Sequence, residues 1–138
     1  LNKTVKNILF FTFFAASAYV LWVYFGKTIY LNNLSRTLHI TKLDHPKFIS
    51  LSKWEDQRAG HTYGLELEIN GSTNRTLMLL FGPEKNGMMQ QVLLKKGVVD
   101  FEYMRDWYSD SCYLFLPSDR GAEVNLVINY RFMGDARE

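Results

Sequence analysis

Eighteen consecutive residues, Ile8 to Phe25, carry no charge: ILFFTFFAASAYVLWVYF. At about 1.5 Å per residue a helix of this length reaches roughly 27 Å, close to the hydrocarbon thickness of a bilayer. Backbone N–H and C=O groups in lipid must be satisfied within the segment, and a helix is the one single-segment solution. Phe10, Phe11, Phe13 and Phe14 point in several directions around such a helix. It is therefore apolar all round, which suits lipid or a deep core and not a surface position.

We expect a transmembrane helix in which Ile8, Phe11, Phe14, Ala18, Leu21, Trp22 and Phe25 meet lipid. Tyr19, Trp22, Tyr24 and Tyr30 crowd its C-terminal half, and such rings favour the headgroup level. Lys27 can snorkel to the interface. Two other readings compete. Lys3 and Lys6, the short run Ile8 to Phe14 and Ala16-Ser17-Ala18 resemble the three zones of a cleaved signal peptide, although apolar residues continue through Phe25. A buried helix of a soluble domain is the other. Lys3 and Lys6 favour a cytoplasmic N-terminus, while Lys27, Arg36 and Lys42 on the far side blunt the bias. The expected arrangement is a single-pass chain with its C-terminal part extracytoplasmic, periplasmic or extracellular. Leu1 in place of methionine leads us to expect a processed, trimmed or atypical start. The chain divides into residues 1–30, the span with its flanks, and residues 31–138, one domain.

That domain has enough residues for one core. The net charge is +2 with acids and bases interspersed, which argues against a nucleic-acid binder, since that would show a basic stripe. Cys112 is the single cysteine, so no disulfide forms within the chain and the domain rests on apolar packing. We expect Cys112 to be a buried, inert thiol. There is no Cys-x-x-Cys or histidine-rich cluster, and no metal or cofactor is expected.

Alternation of apolar and polar residues marks strands. In Glu123 to Met133, Val124, Leu126, Ile128, Tyr130 and Phe132 share one face. In Thr62 to Asn70, Tyr63, Leu65, Leu67 and Ile69 point inward, with Glu66 and Glu68 outward, and Asn70-Gly71 reads as a turn. Arg75 to Phe81 follows; its TLMLLF is apolar on both faces and predicts a central strand. Met88 to Leu94, Val98 to Tyr108 and Cys112 to Leu116 complete the series. Arg105 interrupts the inward row Val99, Phe101, Tyr103 and Trp107, and predicts a bulge or strand end. Thr37 to Leu43 reads as a first strand, and Lys47 to Trp54 as a second on the alternation of Ile49 and Leu51 with serines. Seven or eight short strands with frequent turns predict a mainly β fold: an antiparallel β-sandwich of jelly-roll or immunoglobulin-like type behind the helix.

No constellation of nucleophile, base and orienting group is present, so no enzyme is expected. His45, Glu55, Asp56 and His61 would form a hydrolytic or metal cluster only if their loop folded back. Asp106 and Asp110 flank a turn, and turn capping accounts for them. Met88-Met89 fits packing better than soft metal ligation. Trp54, Trp107 and Tyr108 are the candidate ligand-binding aromatics, for instance for carbohydrate, if their rings are exposed. Asn33-Leu34-Ser35, Asn70-Gly71-Ser72 and Asn74-Arg75-Thr76 match the glycosylation sequon. Together these features lead us to expect a membrane-anchored interaction module, an accessory subunit or assembly factor of a larger membrane complex. Its partners would be the lipid bilayer and a membrane protein. A surface sugar-binding domain is the alternative.

Overall fold

The computed structural model describes residues 2–55, 60–117 and 119–135. Helix α1 (Lys3–Leu21) passes through a single wider π turn, Trp22–Gly26, into α2 (Lys27–Asn32). Asn2 caps the start, its side-chain oxygen accepting from the Thr4 amide. Gly26 belongs in the π turn because a Cβ there would lie 2.3 Å from the Trp22 ring. The segment Lys3–Gly26 has a mean hydropathy of 1.9 and none of it is buried. It is one N-terminal helix long and apolar enough to cross a membrane, a property that signal sequences share.

Eight strands follow among the described residues: β1 (Arg36–Lys42), β2 (Lys47–Ser52), β3 (Thr62–Thr73), β4 (Leu77–Gly82), β5 (Gln90–Leu94), β6 (Gly97–Asp106), β7 (Ser111–Leu116) and β8 (Glu123–Gly134). They form two antiparallel four-stranded sheets in the orders β1-β8-β3-β6 and β2-β7-β4-β5. Successive strands change sheet at every connection except β4 to β5. The inward residues of both sheets form one buried cluster in a sandwich-like arrangement. Leu65, Leu67, Ile69, Leu126 and Ile128 come from the first sheet; Leu51, Leu79, Phe81, Cys112 and Leu114 come from the second. Phe81 of β4 meets Tyr103 of β6 edge-on at 5.0 Å between ring centres, so the two layers touch directly.

The alternation in β8 is realised as expected: Val124, Leu126, Ile128, Tyr130 and Phe132 are all buried. Three local expectations are corrected. Asn70-Gly71 does not turn the chain; β3 runs on to Thr73. Gly71 holds φ +141°, and a Cβ there would sit 1.9 Å from the Asn125 carbonyl oxygen of β8. Glycine at this position serves a close strand approach, not a hairpin. Tyr63 faces outward, because the β3–β8 register slips between Thr62 and Gly64. Its hydroxyl accepts from Asn32 Nδ2 at 2.9 Å. Met88 and Met89 lie outside β5, which starts at Gln90. Arg105 sits at the expected strand end: it stays paired opposite Leu65 without a bulge, and β6 stops one residue later, at Asp106.

The helix is tied to the sheets by its last turn. Asn32 Oδ1 accepts from the Gly134 amide at 3.0 Å, and Asn33 Oδ1 accepts from Arg131 Nη1 at 3.3 Å. Asn33 Nδ2 donates back to the Ile29 carbonyl, and Asn74 is bonded to Gly121 and Glu123. The carboxamides of these two sequon asparagines are thus engaged in holding the fold. Gly71→Ala is expected to destabilise the full-length chain by more than about 1 kcal/mol, because alanine is strained at positive φ and its Cβ meets backbone. Urea denaturation in detergent micelles, followed by tryptophan fluorescence, measures it.

Candidate functional site

The two sheets differ in what they show to solvent. The outer face of the first is polar: Thr37 and His39 from β1, Asn125 and Asn129 from β8, Glu66 and Glu68 from β3, Asp100 and Glu102 from β6. Glu66 pairs with Arg131 Nε. Glu66, Glu68 and Glu102 each place one carboxylate oxygen within 4.8 Å of the others. A polar groove of about 310 Å³ runs from this cluster to Asn33 and Ser35 beside the helix end. Glu102 escaped the sequence reading because only the strand register sets it opposite Glu68.

The outer face of the second sheet is apolar. Phe48 of β2 lies opposite Phe115 of β7, and Phe115 lies opposite Leu80 of β4. Met78 of β4 lies opposite Leu93 of β5. Tyr113 joins the same face, its ring 5.8 Å from that of Phe48, and Phe115 is 6.1 Å away. Phe48, Met78 and Leu93 are exposed, and Leu80, Tyr113 and Phe115 are half-buried. The Lys85 ammonium sits 4.8 Å above the Phe48 ring, the distance of a cation–π contact. A strand apolar at both parities ordinarily has both its faces covered. This face stays partly open, with Phe48, Met78 and Leu93 exposed, and exposed apolar surface of this kind marks an interaction site.

Other candidates fall elsewhere. The residues expected to meet lipid, Ile8, Phe11, Phe14, Ala18, Leu21, Trp22 and Phe25, are all exposed. Trp107 is in the core, its indole N–H donating to the Ser111 carbonyl at 3.1 Å. Trp54 is half-buried, with the Arg36 guanidinium 4.0 Å over its ring. Tyr108 is exposed. The three aromatics therefore present no common stacking platform. His45 lies in the β1–β2 connection and His61 immediately before β3. The length of β2, six residues or about 20 Å, lies between these two ends, so the histidines do not converge. Asp56 lies outside the described residues.

Asp110 does structural work. Lys53, whose side chain is 0% exposed, places Nζ 3.2 Å from Asp110 Oδ1 and donates to the Gly60 carbonyl at 3.0 Å. The Thr62 hydroxyl also donates to Asp110. Partial burial pushes the Asp110 carboxyl upward, but the Thr62 hydrogen bond, the Lys53 ammonium and His61 together hold it below its ordinary 3.8. Cys112 is fully buried, and burial pushes its thiol from 9.0 up to about 12. It is a core residue and no nucleophile. No protein-family model and no curated protein matches the chain.

Removing Asp110 strands an ammonium with no exposure, whereas removing Lys53 leaves a half-exposed carboxylate that water can solvate. Asp110→Ala is expected to cost about 3 kcal/mol and Lys53→Met less than about 1.5 kcal/mol, as read by chemical denaturation. The Asp110 contribution is present above pH 3.8 and lost as the pH falls through its depressed value. Cys112 acts in the other direction. Its contribution is complete below pH 9.0 and is lost as the pH rises toward about 12. An aromatic disulfide reagent at pH 8 is expected to label Cys112 only after unfolding.

Proposed function

We propose that the chain is a single-pass membrane protein whose β domain is a non-enzymatic interaction module, an accessory subunit or assembly factor of a larger membrane complex. The carrying observation is the partly open apolar face of the second sheet, Phe48, Met78, Leu80, Leu93, Tyr113 and Phe115. The N-terminal helix, apolar and unburied, supports a membrane span; on the reading that Lys3 and Lys6 keep the N-terminus inside, the β domain is extracytoplasmic. A tether of this kind raises the local concentration of any partner in the same bilayer, so a face of modest size is enough. The occupant is a membrane protein that lays apolar side chains on the face, with an acidic group near Lys85 at its margin.

The strand orders support a jelly roll. Immunoglobulin-like sandwiches keep the first two strands in one sheet. Here β1 and β2 lie in different sheets and the eight strands divide four and four, as two interleaved Greek keys do.

The test is to extract the full-length chain gently from its native membrane and compare it with Phe48→Glu and Leu93→Glu. The parent is expected to co-purify with a stoichiometric set of membrane subunits. Each variant is expected to weaken that association by about 30-fold, the effect of losing about 2 kcal/mol at a central contact, with an unchanged unfolding midpoint. A parent that purifies as a lone monodisperse chain, or variants that retain the same subunits, would overturn the reading.

A further inference from the structure

We infer that the loops at the helix-proximal end of the β domain, carried by Met88 and Tyr108, rest in the lipid headgroup layer and form a second membrane contact. The inference rests on the reading of α1 as a membrane span, and adds a lipid-facing surface that the anchor does not by itself require.

The placement follows from a short chain of contacts. Asn32 ends the helix and bonds to Tyr63 and Gly134. The Tyr63 carbonyl accepts from the Trp107 amide at 3.2 Å, which puts Tyr108 beside the helix exit. The Ser109 hydroxyl donates to the Pro83 carbonyl, which brings the loop from Pro83 to Met89 to the same end. Met88 is 93% exposed and Tyr108 81%. The two stand at one end of the domain beside the helix exit, and Tyr is a residue that settles where a ring can be half wet.

Distance decides whether the loops reach. The apolar segment ends at Gly26 and the first cation is Lys27. Only the six residues of α2 separate that point from the sheets, a rise of about 9 Å. A headgroup layer is itself about 5–7 Å deep. The base of the β domain therefore stands at the edge of that layer, within reach of loop side chains. Val98 provides the contrast. It is 85% exposed but pairs with Ser72 at the opposite end of β3, about 26 Å along β6 from the Asp106 end.

The test uses the full-length chain, one copy per nanodisc of phosphatidylcholine with phosphatidylglycerol, so that lipid is the only possible neighbour. Spin labels are placed through Met88→Cys, Tyr108→Cys, Val98→Cys and Phe14→Cys, with buried Cys112 left in place. Collision rates with oxygen, which concentrates in lipid, and with a water-soluble nickel chelate are compared. The ratio is expected to be several-fold higher at positions 88 and 108 than at 98, and highest at 14. Labels at 88 and 108 as aqueous as that at 98, beside a hydrocarbon-like label at 14, overturn the inference and leave the anchor standing. An aqueous label at 14 overturns the anchor and the inference together.

Discussion

The dry layer between the two sheets governs the rest of the β domain. With a single, buried cysteine there is no covalent brace, so the sheets hold only while Leu65, Leu67 and Ile69 on one side stay packed with Leu79, Phe81 and Leu114 on the other. Phe81 is central because it touches Tyr103 and Phe101 across the gap, and Tyr103 in turn meets Trp107. That aromatic chain runs from the second sheet toward the helix-proximal end. The indole of Trp107 is thereby committed to the core, which is why it is not free to stack a ligand. The buried Lys53 is secured at the same end by Asp110 beside the start of β7 and Gly60 beside the start of β3, an arrangement that closes the layer where the connections are longest.

Much of this was legible in the residues, and the failures are informative. β3 and β8 announced themselves because each has one wet face, so alternation survives in Glu66, Glu68, Asn125 and Asn129. β4 and β7 were seen as strands, but TLMLLF and CYLFL are apolar at both parities. Local pattern then indicates burial on both sides, and only the assembled sheet reveals that one side stays partly open among the described residues. Asn70-Gly71 misled because the dipeptide is a strong hairpin signal, while its actual cause, the nearness of Asn125, lies far away in sequence. Lys53 was invisible for the same reason. A lysine at the end of a short strand reads as solvated until Asp110 arrives from the start of β7. The loop closure that a His45 and His61 cluster would need is absent for a reason no spacing rule supplies, namely the length of β2 between them.

The two faces of the β domain also divide its chemistry. Charge and amide groups gather on the first sheet, next to the Asn33 and Arg131 contact at the helix end. Aromatic and aliphatic groups gather on the second. A domain built this way cannot be rotated about its axis without changing what it offers, so its orientation above the helix matters as much as its composition.

The π turn at Trp22–Gly26 sets that orientation. A widened turn adds one residue to the helical repeat, and one residue corresponds to about 100° of azimuth. The flank of α1 formed by Phe13, Ala16, Ser17 and Val20 is therefore offset by roughly a quarter revolution from where an unbroken α-helix would aim it relative to Asn32. The same insertion is the torsional adjustment between that flank and the two sheet faces, so a one-residue deletion there would turn one against the other without altering either.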